Sequence, residues 1–402
     1  MKINIKHISN TFNYGSCMMA ITLISKINDN IENVDFYVDA DSDIDLEILK
    51  IETNINNIFR DNIERSSNFI KKCINKLKRI KLNKIVEKIN TVIVIGGDDI
   101  SEYYGIESLE KELERLKEQS KNKNIILLGQ TMGPFTENRG QLARESLKNT
   151  KIYTRDNKCL EYLLELNFKN VSPGRDLAFH KLPMQSMSKS ILKKYNIHKE
   201  EYITVVPSGL TECYTKNFEK YIVEQVNITK KILSNDKLSN KKIVFLPHVL
   251  IPKHVDDRLI IREIINRLDK KSKSRIIAID DAMLPSEARE ILGNGIFTIT
   301  GRMHAAVSTF YMRKPAISLS YSVKYAGVIG DGLDMNELVI ESANEKLWIS
   351  GEISKLVDEK VNYVFDNYNE LVKKIDIKVS ETSKIVEEEL DDVINEIKKI
   401  KG

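Results

Sequence analysis

"GIFTITGRMHAAVSTFYMRKP", residues 295–315, decides the fold. Ile296, Phe297 and Ile299 make a short apolar run that stops at Gly301, and "AAVSTFYMR" after it is a helix-forming series. A buried strand, a tight turn and a helix form the repeating unit of a parallel sheet covered on both faces. Arg302 and His304 stand at the turn, beyond the carboxyl end of the strand, where open parallel sheets bind their ligands. The helix end offers unpaired N–H groups and its positive dipole end to an anion, and Arg302 adds a planar, permanently charged fork suited to carboxylate or phosphate. His304, in the first helical turn, is placed to hand a proton to an anion docked there. Capping or bridging by the two side chains is the plainer alternative.

The same unit recurs in both directions. "KINIKHI" (2–8), "VDFYVDA" (34–40), "TVIVIGG" (91–97), "NIILLGQ" (124–130) and "KIYTRD" (151–156) read as strands, with helical periodicity between them, as in "ESLEKELERLKEQ" (107–119). They predict a first domain over residues 1–185. After the unpatterned "LPMQSMSKS" (182–190), "YITVVPS" (202–208), "KIVFLPH" (242–248), "RIIAIDD" (275–281), the opening strand and "PAISLSY" (315–321) predict a second over 200–343. From 344 to 402 the chain reads as helix, with acids early and lysines late in "VEEELDDVINEIKKIKG", as the helix dipole favours. This tail is expected to pack back on the first domain. The predicted class is α/β: two Rossmann-like, doubly wound parallel-sheet domains facing across a cleft, which suits 402 residues.

Composition excludes several functions. With 62 basic against 58 acidic residues, the near-balanced charge lacks the concentrated basic face that nucleic acid requires. The exception is "KKCINKLKRIKLNKIVEK" (71–88), read as a solvated helix face, with peripheral contact to an anionic membrane as the alternative. Cys17, Cys73, Cys159 and Cys213 form no C-x-x-C pair, as expected for a reducing cytoplasm. "CMMAITLIS" (17–25) reads as a buried first helix because no cleavage site follows it, and no run is long enough to span a bilayer.

Other strand ends supply further candidates. Asn13, Gly15 and Ser16 follow the first strand, with Ser16 a candidate N-cap; the loop lacks the G-x-G-x-x-G dinucleotide fingerprint. "IGGDDISEYYG" projects Asp98 and Asp99 from a strand-ending turn, to orient or deprotonate a hydroxyl, hold a metal, or cap the next helix. "GQTMGPF" places Gly129, Gln130 and Gly133 in a loop whose backbone can approach a ligand, and "YTRD" ends with Arg155. Arg155 and Arg302 could clamp one dianion across the cleft. "SYSVKYAGV" puts Tyr321 and Lys324 at another strand-to-helix turn. His248 and His254, six apart in sequence, have no metal-ligand spacing and read as structural.

Taken in order, "NYGS", "GGDDISEYYG", "GQTMGPF", "YTRD", "SPGRDLAF", "FLPH", "GRMHAAV" and "SYSVKYAGVIGDGL" resemble the polysaccharide pyruvyl transferase family over most of the chain. The resemblance implies a GT-B-like fold and transfer of a pyruvyl group from phosphoenolpyruvate to two hydroxyls of a sugar, forming a cyclic ketal. It implies no cofactor beyond that donor and a glycan or lipid-linked saccharide as acceptor; no metal ligand is assigned and metal dependence stays open, and the enzyme is expected to be cytoplasmic, with the inner face of the membrane as an alternative placement. His304 would be the acid, Arg302 and Arg155 the donor ligands, and Asp98 or Asp99 the base. Arg175 of "SPGRDLAF" departs from many relatives and reads as a further anion contact or a surface residue. The rival is a GT-B glycosyltransferase with a nucleotide-sugar donor. Such enzymes commonly hold the donor ribose with a glutamate in the helix that here reads "MHAAVSTFYMRKP", which has no acid.

Overall fold

Two parallel sheets organise the computed structural model, which describes residues 1–8, 10–63 and 69–401. The first contains β1 (Lys2–Lys6), β2 (Asp35–Val38), β3 (Ile58–Arg60), β4 (Thr91–Ile95), β5 (Asn124–Gln130), β6 (Thr150–Thr154) and β7 (Val171–Ser172), in the order β3-β2-β1-β4-β5-β6-β7. The second contains β8 (Tyr202–Val206), β9 (Lys242–Phe245), β10 (Ile276–Ala278), β11 (Thr298–Thr300), β12 (Ala316–Ser320) and β13 (Val339–Glu341), in the order β10-β9-β8-β11-β12-β13. Counted within each sheet, six strands follow the order 3-2-1-4-5-6, so strand order reverses between β1 and β4 and between β8 and β11. Both sheets are Rossmann-like, as the sequence predicts.

The ten strands read from the sequence are all present: "NIILLGQ" is strand throughout, and the other nine lose two to four residues, mostly where the motif already turns. Three others, β3, β7 and β13, are edge or near-edge strands of two or three residues. Segments that short carry no usable periodicity.

By chain contacts the first compact unit comprises Met1–Thr11, Ser16–Pro183 and Lys384–Gly402, and the second Phe12–Gly15 and Met184–Ser383. In the first, strands β4 to β6 and the helices Ile106–Gln119 and Asn157–Glu165 enclose Val94, Leu113, Leu116, Ile125, Leu127, Leu163 and Phe168. The run read as a buried first helix lies within the helix Tyr14–Asn30, and no described helix is long and apolar enough to cross a membrane. The lysine-rich run lies in the helix Phe69–Glu87, where Lys76, Lys78, Arg79, Lys81 and Lys84 are exposed; the side chains of 71–75 and 77 lie outside those described.

The structure divides the helical tail. Its helices Glu345–Ser350 and Glu352–Asp366 belong to the second unit, where Trp348 stacks on Tyr221 at 4.7 Å and donates to the Ser342 carbonyl. The last helix, Tyr368–Lys401, changes unit at residue 384. Its earlier part is held to the second unit by Arg313–Asp376 and Lys374–Glu337. Its end is held to the first by Lys26–Glu387, His180–Glu387 and the Tyr153 hydroxyl on Asp392.

Trp348 is the single tryptophan, so its emission reports the unfolding of the second unit. Phe310, fully buried in the helix Met303–Tyr311, makes the test of that core. Phe310→Ala should lower the unfolding free energy followed by Trp348 fluorescence in urea by about 3–5 kcal/mol.

Candidate functional site

The candidate site is built at the carboxyl ends of β8, β9 and β11, at the reversal of strand order in the second sheet. Its centre is Asp257, the first residue of the helix Asp257–Asn266 and fully buried. One carboxylate oxygen accepts the Gly209 N–H at 2.8 Å and the Arg302 Nε and Nη2 at 3.1 and 2.8 Å. The other accepts the His248 and Val249 N–H groups, both at 2.9 Å. One carboxylate thus ties together the loops after β8, β9 and β11. Burial opposes the Arg302 charge, but the Asp257 carboxylate more than offsets it and raises its pKa above the ordinary value.

Arg302 was expected to turn an open fork toward a ligand; instead its Nε and Nη2 are engaged by Asp257, and Nη2 also donates to the Val255 carbonyl at 2.8 Å. The reason is local. Arg302 precedes the helix Met303–Tyr311, and Thr300 Oγ1 accepts its backbone N–H while donating to its carbonyl, which fixes the turn with the side chain against Asp257. Gly301 is needed there for space, since a Cβ would lie 2.7 Å from the Tyr214 hydroxyl and 2.9 Å from Ser208 Cβ. Its carbonyl accepts the Tyr214 and Tyr325 hydroxyls, both at 2.8 Å. Burial drives both phenols far above their ordinary pKa, so they stay donors.

His304 is half-buried in the first turn of that helix, and its imidazole lies on the backbone of Gly15, where any Cβ would overlap the ring. Gly15 is brought there by a short antiparallel pairing. Asn13 bridges Val249, the Leu250 N–H donates to the Phe12 carbonyl at 3.0 Å, and the Tyr14 N–H donates to the His248 carbonyl at 3.2 Å. Tyr14 meets the His248 ring edge-on at 5.5 Å and its hydroxyl accepts the Met283 N–H. Ser16 is not an N-cap: the helix begins at Tyr14, which leaves Ser16 inside its first turn. Tyr321 stands edge-on to Tyr214 and Tyr325, and the half-buried Lys324 holds its Nζ 4.8 Å from the Tyr321 ring centre.

The remaining candidates belong to the first unit. Arg155 is buried at the end of β6, donates through Nε and Nη2 to Thr131 Oγ1 at 3.1 and 3.0 Å, and has Nη1 3.8 Å from Asp176. Like Arg302, it is committed inside its own unit. Gln130 is buried with its Nε2 on the Val94 carbonyl, and Gly129 and Gly133 take left-handed φ angles of 69° and 82°, which explains glycine in that loop. Asp98 is half-buried and its carbonyl accepts the Ser101 hydroxyl; Asp99 is exposed, 3.6 Å from His7 Nδ1. Arg175 is half-buried, with its backbone N–H on the Glu389 carboxylate at 2.9 Å, and burial lowers its pKa.

Two residues escaped the sequence reading. Asp257 looks there like an ordinary acid opening a helix in "HVDDRLII", and nothing local announces the three loops it joins. His248 stands at a strand end but was read as structural. It is 1% exposed, and burial, then the neighbouring His304, Arg302 and Arg289, hold its pKa far below the usual 6.5.

Two measurements test this arrangement. Asp257→Asn leaves the Arg302 charge buried and uncompensated, so it should cost about 3–5 kcal/mol of stability, and adding Arg302→Met should recover much of the loss; urea unfolding of the single and double variants checks both. The second concerns pH. The unfolded chain takes up a proton at His248 below pH 6.5 that the folded chain refuses, so stability falls as pH drops through and below that value. His248 should contribute a slope of up to about 1.4 kcal/mol per pH unit, absent in His248→Gln, in urea titrations between pH 5 and about 7.

Comparison with known proteins agrees with this architecture. The chain is 10% identical to a UDP-GlcNAc 2-epimerase from Neisseria meningitidis, with a TM-score of 0.59 over 97% of this chain and 99% of that one. It is 14% identical to a glycosyltransferase from Rickettsia africae, with a TM-score of 0.56 over 99% and 98%. At these identities the likeness concerns the fold, which is GT-B-like. An amylovoran biosynthesis protein, AmsJ of Erwinia amylovora, is 23% identical over 305 residues, covering 72% of this chain and 69% of that protein. Residues 13–323 match the model of the polysaccharide pyruvyl transferase family, a span that begins at the Asn13–Gly15 segment under His304 and ends just before Lys324. The protein therefore belongs to the polysaccharide pyruvyl transferase family, transferases of polysaccharide biosynthesis.

Proposed function

We propose that the protein transfers the pyruvyl group of phosphoenolpyruvate to two hydroxyls of a sugar in a cell-surface glycan or its precursor, forming a cyclic ketal. The observation that carries this reading is the position of His304: in the first turn of a helix at the strand-order reversal, its ring on Gly15, and, with Arg302 and Arg289, one of the basic groups that bear on the buried His248. A histidine at such a helix end suits a small dianion that needs one proton.

His304 delivers a proton to the methylene carbon of phosphoenolpyruvate, which becomes the methyl group, and a sugar hydroxyl oxygen bonds to the central carbon. The C–O bond to phosphate breaks as the second hydroxyl oxygen bonds to the same carbon, so phosphate leaves and the ketal closes. The two hydroxyl protons replace the one spent by His304 and neutralise phosphate; Asp98 and Asp99, at the end of β4, are the carboxylates proposed to accept the first. Lys324, half-buried beyond the end of β12, is proposed as a phosphate contact. Arg302 acts from behind, fixing the turn that carries His304, because its fork is held by Asp257. The helix Met303–Tyr311 contains no acid, which disfavours a nucleotide-sugar donor held through its ribose.

Phosphate release and acceptor mass, followed with phosphoenolpyruvate and synthetic or lipid-linked saccharides, test the reaction. Turnover of a nucleotide sugar without need for phosphoenolpyruvate would overturn it. His304→Ala should lower kcat by at least about 100-fold with the urea midpoint unchanged, and wild-type turnover in that variant refutes the acid role. Gly15→Ala displaces the imidazole and should cost about 10- to 100-fold in kcat.

A further inference from the structure

His248 presents an unsatisfied group beside the proposed acid. Its Nε2 is buried without a hydrogen-bond partner, although the residue is only 1% exposed. An unpaired polar atom in a protein interior is costly, and a native structure that keeps one commonly completes it with a water or ligand. The rest of the residue is held firmly. Its N–H is on Asp257, its carbonyl accepts Tyr14, and its ring stands against the Tyr14 ring. The imidazole is therefore fixed through its backbone and its ring contact, with Nε2 left unpaired.

The surroundings define what could complete it. The charged or titratable groups that bear on His248 are His304 and Arg302 from the loop after β11, Arg289 from the helix Pro285–Asn294, Tyr14 from the segment paired with it, and Asp257 through the backbone. Three of these are basic, and Asp257 is already engaged by Arg302. The chemistry that fits is an oxyanion.

We propose that the Nε2 of His248 donates a hydrogen bond to an oxygen of the anionic group bound at the His304 helix end, making His248 a ligand contact and not only a packed residue. The identity of the natural anion as phosphoenolpyruvate rests on the function proposed above; the contact itself does not. Because burial and its basic neighbours keep His248 unprotonated, it adds a donor to the site without adding a charge that would oppose protonation of His304.

The side-chain amide of glutamine can replace Nε2, whereas that of asparagine reaches only the position of Nδ1. With phosphoenolpyruvate, His248→Gln should stay within about threefold of the wild-type Kd and KM, and His248→Asn and His248→Ala should raise both by about tenfold or more with a smaller change in kcat. Equal binding by all four proteins overturns the proposal. Should the variants fail to fold, ring-nitrogen NMR of wild-type protein labelled at histidine decides it: the His248 Nε2 resonance should move on titration with phosphoenolpyruvate and with inorganic phosphate. A response to phosphate without binding of phosphoenolpyruvate keeps the contact and overturns the proposed donor. Binding of phosphoenolpyruvate with a silent His248 signal does the reverse, and binding of neither anion overturns both.

Discussion

The buried pair of Asp257 and Arg302 is the constraint on which the site depends. Five hydrogen bonds converge on one carboxylate, and they come from three loops that follow three different strands. Burying two charges is expensive, and such a pair is justified only when every lone pair and proton finds a partner. Here the partners are the backbone amides of Gly209, His248 and Val249, so the electrostatic requirement of the pair becomes a geometric requirement on the loops. His248 and His304 take their places as a consequence.

Close packing supplies the second constraint. Gly301 and Gly15 leave the space that Tyr214, Ser208 and the His304 imidazole fill. The Tyr214 and Tyr325 hydroxyls then hold the Gly301 carbonyl on one side of the turn while Thr300 holds Arg302 on the other. With the turn held from both sides, the first residues of the helix Met303–Tyr311 have little freedom. A helix end fixed in this way would offer the proposed anion donors already in place, which is what transition-state stabilisation by fixed donors requires.

The strands, their parallel pairing and the site-bearing turn could all be read from the sequence, because a run such as "VIVI" (92–95) or "IILL" (125–128), buried on both faces, is apolar throughout. Short edge strands such as β7 and β13 could not, since two or three residues carry no period. Among site residues, the histidine and glycines near the turn were found through position. The arginines were found as residues, but their partners were not: nothing in "YTRD" or "GRMH" tells that Arg155 lies on Thr131 or Arg302 on Asp257. The helical tail shows the same limit, its amphipathic pattern marking a buried face without marking the unit in which Trp348 or Glu389 is buried.

By itself the sequence determined the α/β class, the two sheets, the family and the strand-to-helix turn of "GRMH", because hydrophobic period and turn chemistry act between near neighbours in the chain. Only the tertiary structure decided how that turn is used. Asp257 and Arg302 are 45 residues apart, and Gly15 and His304 are farther still. Whether an arginine meets a ligand or an internal carboxylate, and whether a histidine is neutral or charged, depends on what burial brings beside it, and those neighbours are distant in sequence.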